Sequence, residues 1–274
     1  MPRAAAETND QAFIDAINIT APGTMLREAI AMILQAETGA LICIGPTKKI
    51  SDLSEGGVQL DAPCTPQTLY ELAKMDGAII LNEDASRVLF ANRFLKPDNK
   101  VPSKETGTRH RTGERMAAQC KCIVITVSER RASVTLYVRE RKHVLDSIGT
   151  LLNKSTQALQ TLEKYIAVLA EAMVDLSTRE FQDMVTIFDV CKAIQRTEMV
   201  IRIADELQPY ILELGTEGRL VELQRNELIM PIAEARMVVR DYVRGKTKLA
   251  PGQLDEKLSE LSQTELLQLG NISQ

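Results

Sequence analysis

The sequence predicts a two-part chain: an α/β half built on a mixed sheet flanked by helices, followed by an all-α half. Three observations predict it. From Ala40 onward, short apolar or alternating runs (ALICIG, GVQL, GAIIL, RVLFA, CIVITV and SVTLYV) recur between turn residues, which is the pattern of strands. Helix-like stretches are interleaved with them at about 66–75 (PQTLYELAKM) and 112–120 (TGERMAAQC), which makes the first half mixed. After Gly149 the composition changes: Thr150 to Gln208 contains neither glycine nor proline, while Leu152, Leu159, Leu162, Ile166, Leu169, Met173 and Leu176 recur at helical spacing. The expected division is therefore 1–148 and 149–274.

In chain order, Phe13, Ile14 and Ile17, then Leu26, Ile30, Ile33 and Leu34, predict two helices broken at Ala21-Pro22-Gly23. Thr24 is the expected N-cap of the second, with Arg27 where a capping box wants glutamate. The strands follow from Ala40, and CIVITVSERRASVTLYV reads as an antiparallel hairpin. In the second half the long helix is expected to break at DLSTREF, a second to run to about 207, and a third to span about 216–243 after Pro209 and Gly215. The result is a helical bundle or rod whose apolar stripe packs internally or forms an oligomer seam. Pro251 and Gly252 introduce an acidic helical tail, LDEKLSELSQTELLQLGNISQ, that ends like an interruption.

Composition excludes several classes of function. No run approaches the roughly 20 apolar residues of a membrane span, and the N-terminus lacks the apolar core of a signal peptide, so a cytoplasmic protein is expected. His110 and His143 are the only histidines, which rules out a multi-histidine metal site. The five cysteines are scattered and odd in number and read as free, mostly buried thiols. A net charge of −4 argues against a chain that coats DNA along its whole surface.

Two stretches carry chemistry. In Met75-Asp76-Gly77-Ala78 a carboxylate precedes glycine where a helix gives way to a strand; such an aspartate often serves only turn geometry. GTRHRTGER, from Gly107 to Arg115, gathers three arginines, a histidine and two threonines, all but Arg115 between Gly107 and Gly113, with Thr112 expected near a helix N-cap. Arginine forks grip phosphate, hydroxyls add donors, and Gly107 and Gly113 would let a ligand approach the backbone. Nucleotide phosphate, nucleic acid and a solvated surface patch all fit this composition. Neither a Walker A motif nor GxGxxG after a strand occurs, so the phosphate site belongs to another class.

The pairing of Asp76-Gly77-Ala78 with Gly107–Arg115 some thirty residues later resembles the two signature motifs of diadenylate cyclases, which make cyclic di-AMP from ATP. Along its whole length the chain is similar to the subgroup in which the cyclase domain precedes a helical linker and a helix-hairpin-helix DNA-binding domain, a subgroup linked to DNA integrity scanning and DNA-damage signalling. The hairpin's glycine signature does not occur before Gln274, so a truncated form with weak or absent DNA binding is expected.

The resemblance implies that Asp76 acts at the 3′-hydroxyl, holding Mg2+ or Mn2+ or helping to remove the proton. It implies that Arg109, His110 and Arg111, with Thr108 and Thr112, hold the triphosphate of ATP. Gly77 would let backbone approach the nucleotide, Leu95 in NRFLKPD would touch adenosine, and Ser128 in VSERR would touch phosphate. Read alone, Leu95 is equally a core residue and Ser128 an ordinary polar residue at a strand end. The implied assembly is a homo-octamer with cyclase domains face to face and the segment after Thr150 helping to hold subunits together; no membrane partner is implied. Two other classes stay open. One is a noncatalytic nucleic-acid-binding oligomeric scaffold using Arg109, Arg111, Arg115, Arg130, Arg131, Arg139 and Arg141; the other is a helical oligomer whose first half senses ATP.

Overall fold

The apolar runs of the first half become strands of one sheet, because each is short, bounded by turn residues and apolar enough to be covered on both faces. The computed structural model describes residues 2–246 and 253–273. The chain starts with α1 (Pro2–Thr20) and α2 (Met25–Gln35), the latter capped by Thr24, whose Oγ1 accepts from the Arg27 N–H. Then come β1 (Ala40–Ile44), α3 (Thr47–Asp52), β2 (Ser54–Glu55), β3 (Val58–Pro63) and α4 (Pro66–Ala73). They are followed by β4 (Ala78–Leu81), β5 (Arg87–Leu95), α5 (Thr108–Cys120), β6 (Ile123–Ser128), β7 (Ser133–Val138) and β8 (Arg141–Val144).

The sheet order is β2-β5-β4-β1-β6-β7-β8, with β3 also pairing β5. It is mixed: β1 and β4 are parallel, and the remaining pairs are antiparallel, including the anticipated β6–β7 hairpin. Side-chain alternation divides the core. Ile42, Ile44, Ile79, Leu81, Ile125 and Leu136 face a layer containing Ile17, Ile30, Ile33 and Leu69 of α1, α2 and α4. Leu41, Cys43, Ile80, Val124 and Tyr137 face Ile50 of α3 and Met116, Ala117 and Cys120 of α5. β3, the GVQL run, is the exception, with Val58 52% exposed.

The second half holds α6 (Ile148–Phe181), α7 (Ile187–Leu214), a 3-10 turn (Gly215–Gly218), α8 (Arg219–Ile229), α9 (Ile232–Lys246), α10 (Gln253–Glu260), α11 (Gln263–Leu266) and α12 (Leu269–Ile272). Three boundaries differ from the sequence expectation. DLSTREF stays helical to the end of α6. α7 continues through Pro209 for another turn. The single helix expected over 216–243 is split, because Pro231 lacks the N–H that would continue α8 and becomes the residue before α9. The break at Pro251 and Gly252 lies outside the described residues. The stripe on α6 is Leu151, Leu159, Leu162, Leu169, Ala172 and Leu176; Ser155 is buried with it, whereas Leu152 is exposed. The acidic tail is packed: Leu258 and Leu266 join Leu176, Ala193, Ile194 and Val239 in one buried cluster. Arg202 donates to the Leu258 and Leu261 carbonyls, and the buried Gln195 amide donates to the Leu266 carbonyl at 2.6 Å.

The chain divides into two compact units, and the division is not a single cut. The first takes in the chain to Ile148 together with Leu212–Glu217; the second takes in Gly149–Ile211 and the chain from Gly218. Within the first unit Leu212 packs against the core, and the Thr216 N–H and hydroxyl both donate to the Pro22 carbonyl. Glu213, 7% exposed, takes His143 Nε2 at 2.7 Å on one carboxylate oxygen and the Asp146 N–H at 2.7 Å on the other. Removing that acceptor leaves two partly buried donors without it. Glu213→Ala should therefore destabilise the first unit by about 1–3 kcal/mol, read as a lower denaturation midpoint; an unchanged midpoint would show the contact to be dispensable.

Candidate active site

Strand register collects the chemistry-bearing residues at one end of the sheet. Ile42 of β1 lies opposite Ile79 of β4, and Ala40 lies opposite Val127 of β6. The entry to β1 at Gly39, the bend at Asp76-Gly77 before β4 and the exit of β6 at Ser128 thus share that end. The strands are spaced by about 4.8 Å, so β4 and β6 lie roughly 10 Å apart across β1. The N-terminus of α5 comes to the same end, where Arg109 Nη1 lies 3.5 Å from the Val127 carbonyl.

Asp76 is exposed, and among the described residues no hydrogen bond or ion pair holds its carboxylate. The turn therefore does not consume the side chain. Gly77 has φ +93°, and a Cβ there would sit 2.9 Å from the Arg93 carbonyl oxygen. Its need for glycine is explained by its positive φ and by the close passage of β5.

α5 begins four residues earlier than the sequence suggests. Gly107 is the N-cap and makes no side-chain bond, Thr108 opens the helix, and Thr112 lies in its second turn rather than near the cap. The reason is packing: Gly113 is buried in the helix, where a Cβ would meet Thr126 Cγ2 at 3.0 Å and Val124 Cγ1 at 3.2 Å. Gly113 thus admits the sheet, not a ligand. The early start leaves the first N–H groups of α5 unpaired by the helix, at its positive end, beside Thr108 and Arg109.

Arg109 occupies space that Gly39 leaves: a Cβ on Gly39 would lie 1.8 Å from Arg109 Nη1. Arg111 Nη2 donates to the Thr106 carbonyl at 2.9 Å. Arg115 turns away, donating from Nε to the Val101 carbonyl and from Nη1 to Asn99 Oδ1. With Gln119 Oε1 accepting from the Asp98 N–H and Glu114 accepting from Ser103 and the Lys104 N–H, it straps the 98–106 loop to α5. The arginine-rich stretch is therefore divided between a face at the sheet end and a loop anchor.

His110 Nδ1 lies 3.0 Å from the Tyr137 hydroxyl and 3.1 Å from Thr126 Oγ1. Burial outweighs the nearby Glu105 carboxylate and holds the imidazole below its usual pKa, with Lys142, Arg131 and Arg109 acting in the same direction as burial. Thr108 and Arg111 are exposed, and Thr112 and Ser128 partly so. Ser128 ends β6 opposite Ser133, at the start of the exposed Arg130-Arg131 turn. Leu95 ends β5, 6% exposed, and belongs to the core layer beneath α5 with Ile50, Ile80 and Met116. Gly39, Glu105, Thr126 and Tyr137 carry no motif. None of them is singled out by the sequence alone.

The arrangement gathers at one end of the sheet an unpaired carboxylate, the Arg109 guanidinium and the free N–H groups at the start of α5, which suits a phosphorylated ligand with a hydroxyl or a cation near its other end. Among the described residues no three His, Cys, Asp or Glu side chains group to hold a metal, and no helix is long and apolar enough to cross a membrane.

Residues 27–142 match the family model described as DisA bacterial checkpoint controller nucleotide-binding, and residues 145–274 match the DisA bacterial checkpoint controller linker region. The chain is 47% identical over 265 residues to a DNA integrity scanning protein DisA from Clostridium tetani, covering 96% of this chain and 73% of that protein. It is 48% identical over 256 residues to the protein of the same name from Carboxydothermus hydrogenoformans, covering 93% of this chain and 72% of the relative. The Acetivibrio thermocellus protein of that name is 46% identical over 264 residues, with 96% and 73% covered.

Proposed function

The chain belongs to the family of the DNA integrity scanning protein DisA, and from that premise we propose that it is a diadenylate cyclase that joins two ATP molecules into cyclic di-AMP. In each half-reaction the 3′-oxygen of one nucleotide forms a bond to the α-phosphorus of the other, the 3′-hydroxyl proton is lost, and pyrophosphate departs with the broken Pα–O bond. The observation that carries the reading is the unpaired Asp76 carboxylate at the same sheet end as the N-terminus of α5.

In this reading Arg109 and Arg111, with Thr108, Thr112, His110 and the free N–H groups of α5, hold the triphosphate and offset charge gathering on pyrophosphate. His110, kept neutral by burial, adds a contact rather than a charge. Ser128 touches phosphate, Gly77 sets the close backbone, and Leu95 shapes the floor beneath adenosine from within the core. Asp76 belongs at the 3′-hydroxyl. As a hard oxygen donor the Asp76 carboxylate would hold a Mg2+ or Mn2+ ion. Such an ion would neutralise phosphate charge and make the hydroxyl more acidic.

One chain brings one Asp76 and one arginine cluster, whereas the product is two-fold symmetric. Two cyclase units facing each other, each holding one ATP, satisfy both facts, and a homo-octamer with the helical half helping to hold subunits together extends the arrangement. We assign 1–148 as the cyclase domain and 149–274 as the linker, with 212–217 returning to the first unit. The role in DNA integrity scanning follows from the family, and five free cysteines suit the reducing cytoplasm.

Incubation with ATP and either Mg2+ or Mn2+, followed by chromatography, should yield cyclic di-AMP and two equivalents of pyrophosphate. Absence of product with both metals would overturn the proposal. Steeply salt-dependent DNA binding without turnover would favour the noncatalytic scaffold, and tight ATP binding without pyrophosphate release the ATP sensor.

A further inference from the structure

β5 breaks its own alternation twice. Val88 belongs to the core layer of α1, α2 and α4, whereas Phe90, two residues on, packs against the layer of α3 and α5, as does Leu95, five residues further. In an unbroken strand residues two apart share a face and residues five apart do not, so an extra residue enters at two places. The β4 register locates them. Leu81 lies opposite Val88, Ile80 opposite Phe90 and Ala78 opposite Arg93, so Leu89 is extra in the first interval, and in the second Ala91 and Asn92 together oppose Ile79. Arg93 is thereby returned to the Phe90 face, its guanidinium 4.7 Å from the ring centroid.

The second bulge carries the unusual backbone. Asn92 has φ +55°, in the left-handed region that disfavours side chains and that asparagine enters more readily than most. Its side chain is exposed and makes no hydrogen bond among the described residues. The bulge presses on the turns at both sides. A Cβ on Gly57 would lie 2.8 Å from the Asn92 carbonyl oxygen, and a Cβ on Gly77 would lie 2.9 Å from the Asn92 carbonyl carbon and 3.1 Å from the Arg93 nitrogen. One inserted residue thus has two results: Leu95 comes back to the layer beneath α5, and the Arg93 backbone comes against the Asp76-Gly77 turn.

We propose that Asn92 is a positioning residue for the cyclase reaction: in its left-handed conformation it forms the bulge that keeps the Asp76-Gly77 turn and Leu95 in one register. The proposal rests on the cyclase reading, in which Asp76 serves the 3′-hydroxyl and Leu95 the adenosine. Asn92 acts through its backbone rather than through its amide group.

Three substitutions in the whole chain separate a backbone role from a side-chain role. Glycine adopts a positive φ freely, alanine at a cost, and β-branched valine at the greatest cost. The kcat for cyclic di-AMP should stay within about twofold of wild type in Asn92→Gly. It should fall about threefold in Asn92→Ala and about tenfold or more in Asn92→Val. The KM for ATP should move less than about threefold in all three, because the triphosphate contacts are assigned to α5. Amide hydrogen exchange of residues 75–81, read by mass spectrometry, should rise in the same order as the bulge relaxes and frees the turn.

Equal kcat in Asn92→Gly and Asn92→Ala, at any level, would overturn the proposal, because the backbone preference would then have no effect on the reaction. So would wild-type kcat in a folded Asn92→Val that merely shows a lower denaturation midpoint, since the fold alone would then carry the strain. Should Asn92→Val fail to fold, the difference between the glycine and alanine variants still decides the matter. If the wild type makes no cyclic di-AMP, the functional reading fails through the product assay, while the order of exchange rates separately decides whether Asn92 sets the turn.

Discussion

Asp76→Asn abolishes measurable cyclisation, lowering kcat by about 10²–10⁴-fold, while the protein keeps its fold and assembly. The expectation of an intact fold comes from the site itself: the Asp76 side chain is exposed and makes no hydrogen bond or ion pair among the described residues. The amide is nearly the same size, so Gly77 and the close passage of β5 are undisturbed. What changes is a negative charge that can bind a cation or accept a proton, and an amide does neither well. ATP binding should survive, because the triphosphate contacts are assigned to α5. Nucleotide binding and product formation, measured together, separate the roles. Near wild-type turnover would show Asp76 to be turn chemistry only, and lost ATP binding would move it into the triphosphate grip.

Gly39→Ala should lower kcat/KM by about 100-fold at a stability cost of about 1 kcal/mol. The new methyl would lie 1.8 Å from Arg109 Nη1 and 3.1 Å from the Val127 carbonyl. Of these neighbours only the guanidinium can swing away readily, so the fold yields little and Arg109 yields a great deal. A double-mutant cycle tests the route: with Arg109→Ala in place, Gly39→Ala should add almost nothing. Additive losses would mean that Gly39 acts through something else. Wild-type kcat/KM in Gly39→Ala would remove Arg109's placement from the account.

The sheet core was legible because β1, β4, β6 and β7 are covered on both faces and must be apolar along their length. Thr24 was legible as a cap because its hydroxyl satisfies an N–H three residues on, which is a local rule. The start of α5 was not, since its first turn is polar and its packing signal, Gly113, is ambiguous in one dimension. Pro209 and Pro231 show the same limit. One is accommodated inside α7 while the other divides α8 from α9, and the residue type does not say which.

At the site, the sequence by itself determined which groups are present: one carboxylate beside a glycine, and one arginine-rich stretch paired with it at the right separation. It also determined that His110 and His143 are the only imidazoles available. Tertiary structure decided which groups share one end of the sheet. Arg109 points to the sheet end because Gly39 vacates the space, whereas Arg115 is spent on the 98–106 loop. Glu105 and Tyr137, 32 residues apart, became one hydrogen-bond chain, and Glu213 returned to His143 from 70 residues away. Periodicity and capping act over a few residues and can be read along the chain. The direction of a side chain and the partner that takes its hydrogen depend on strands brought together across the sheet.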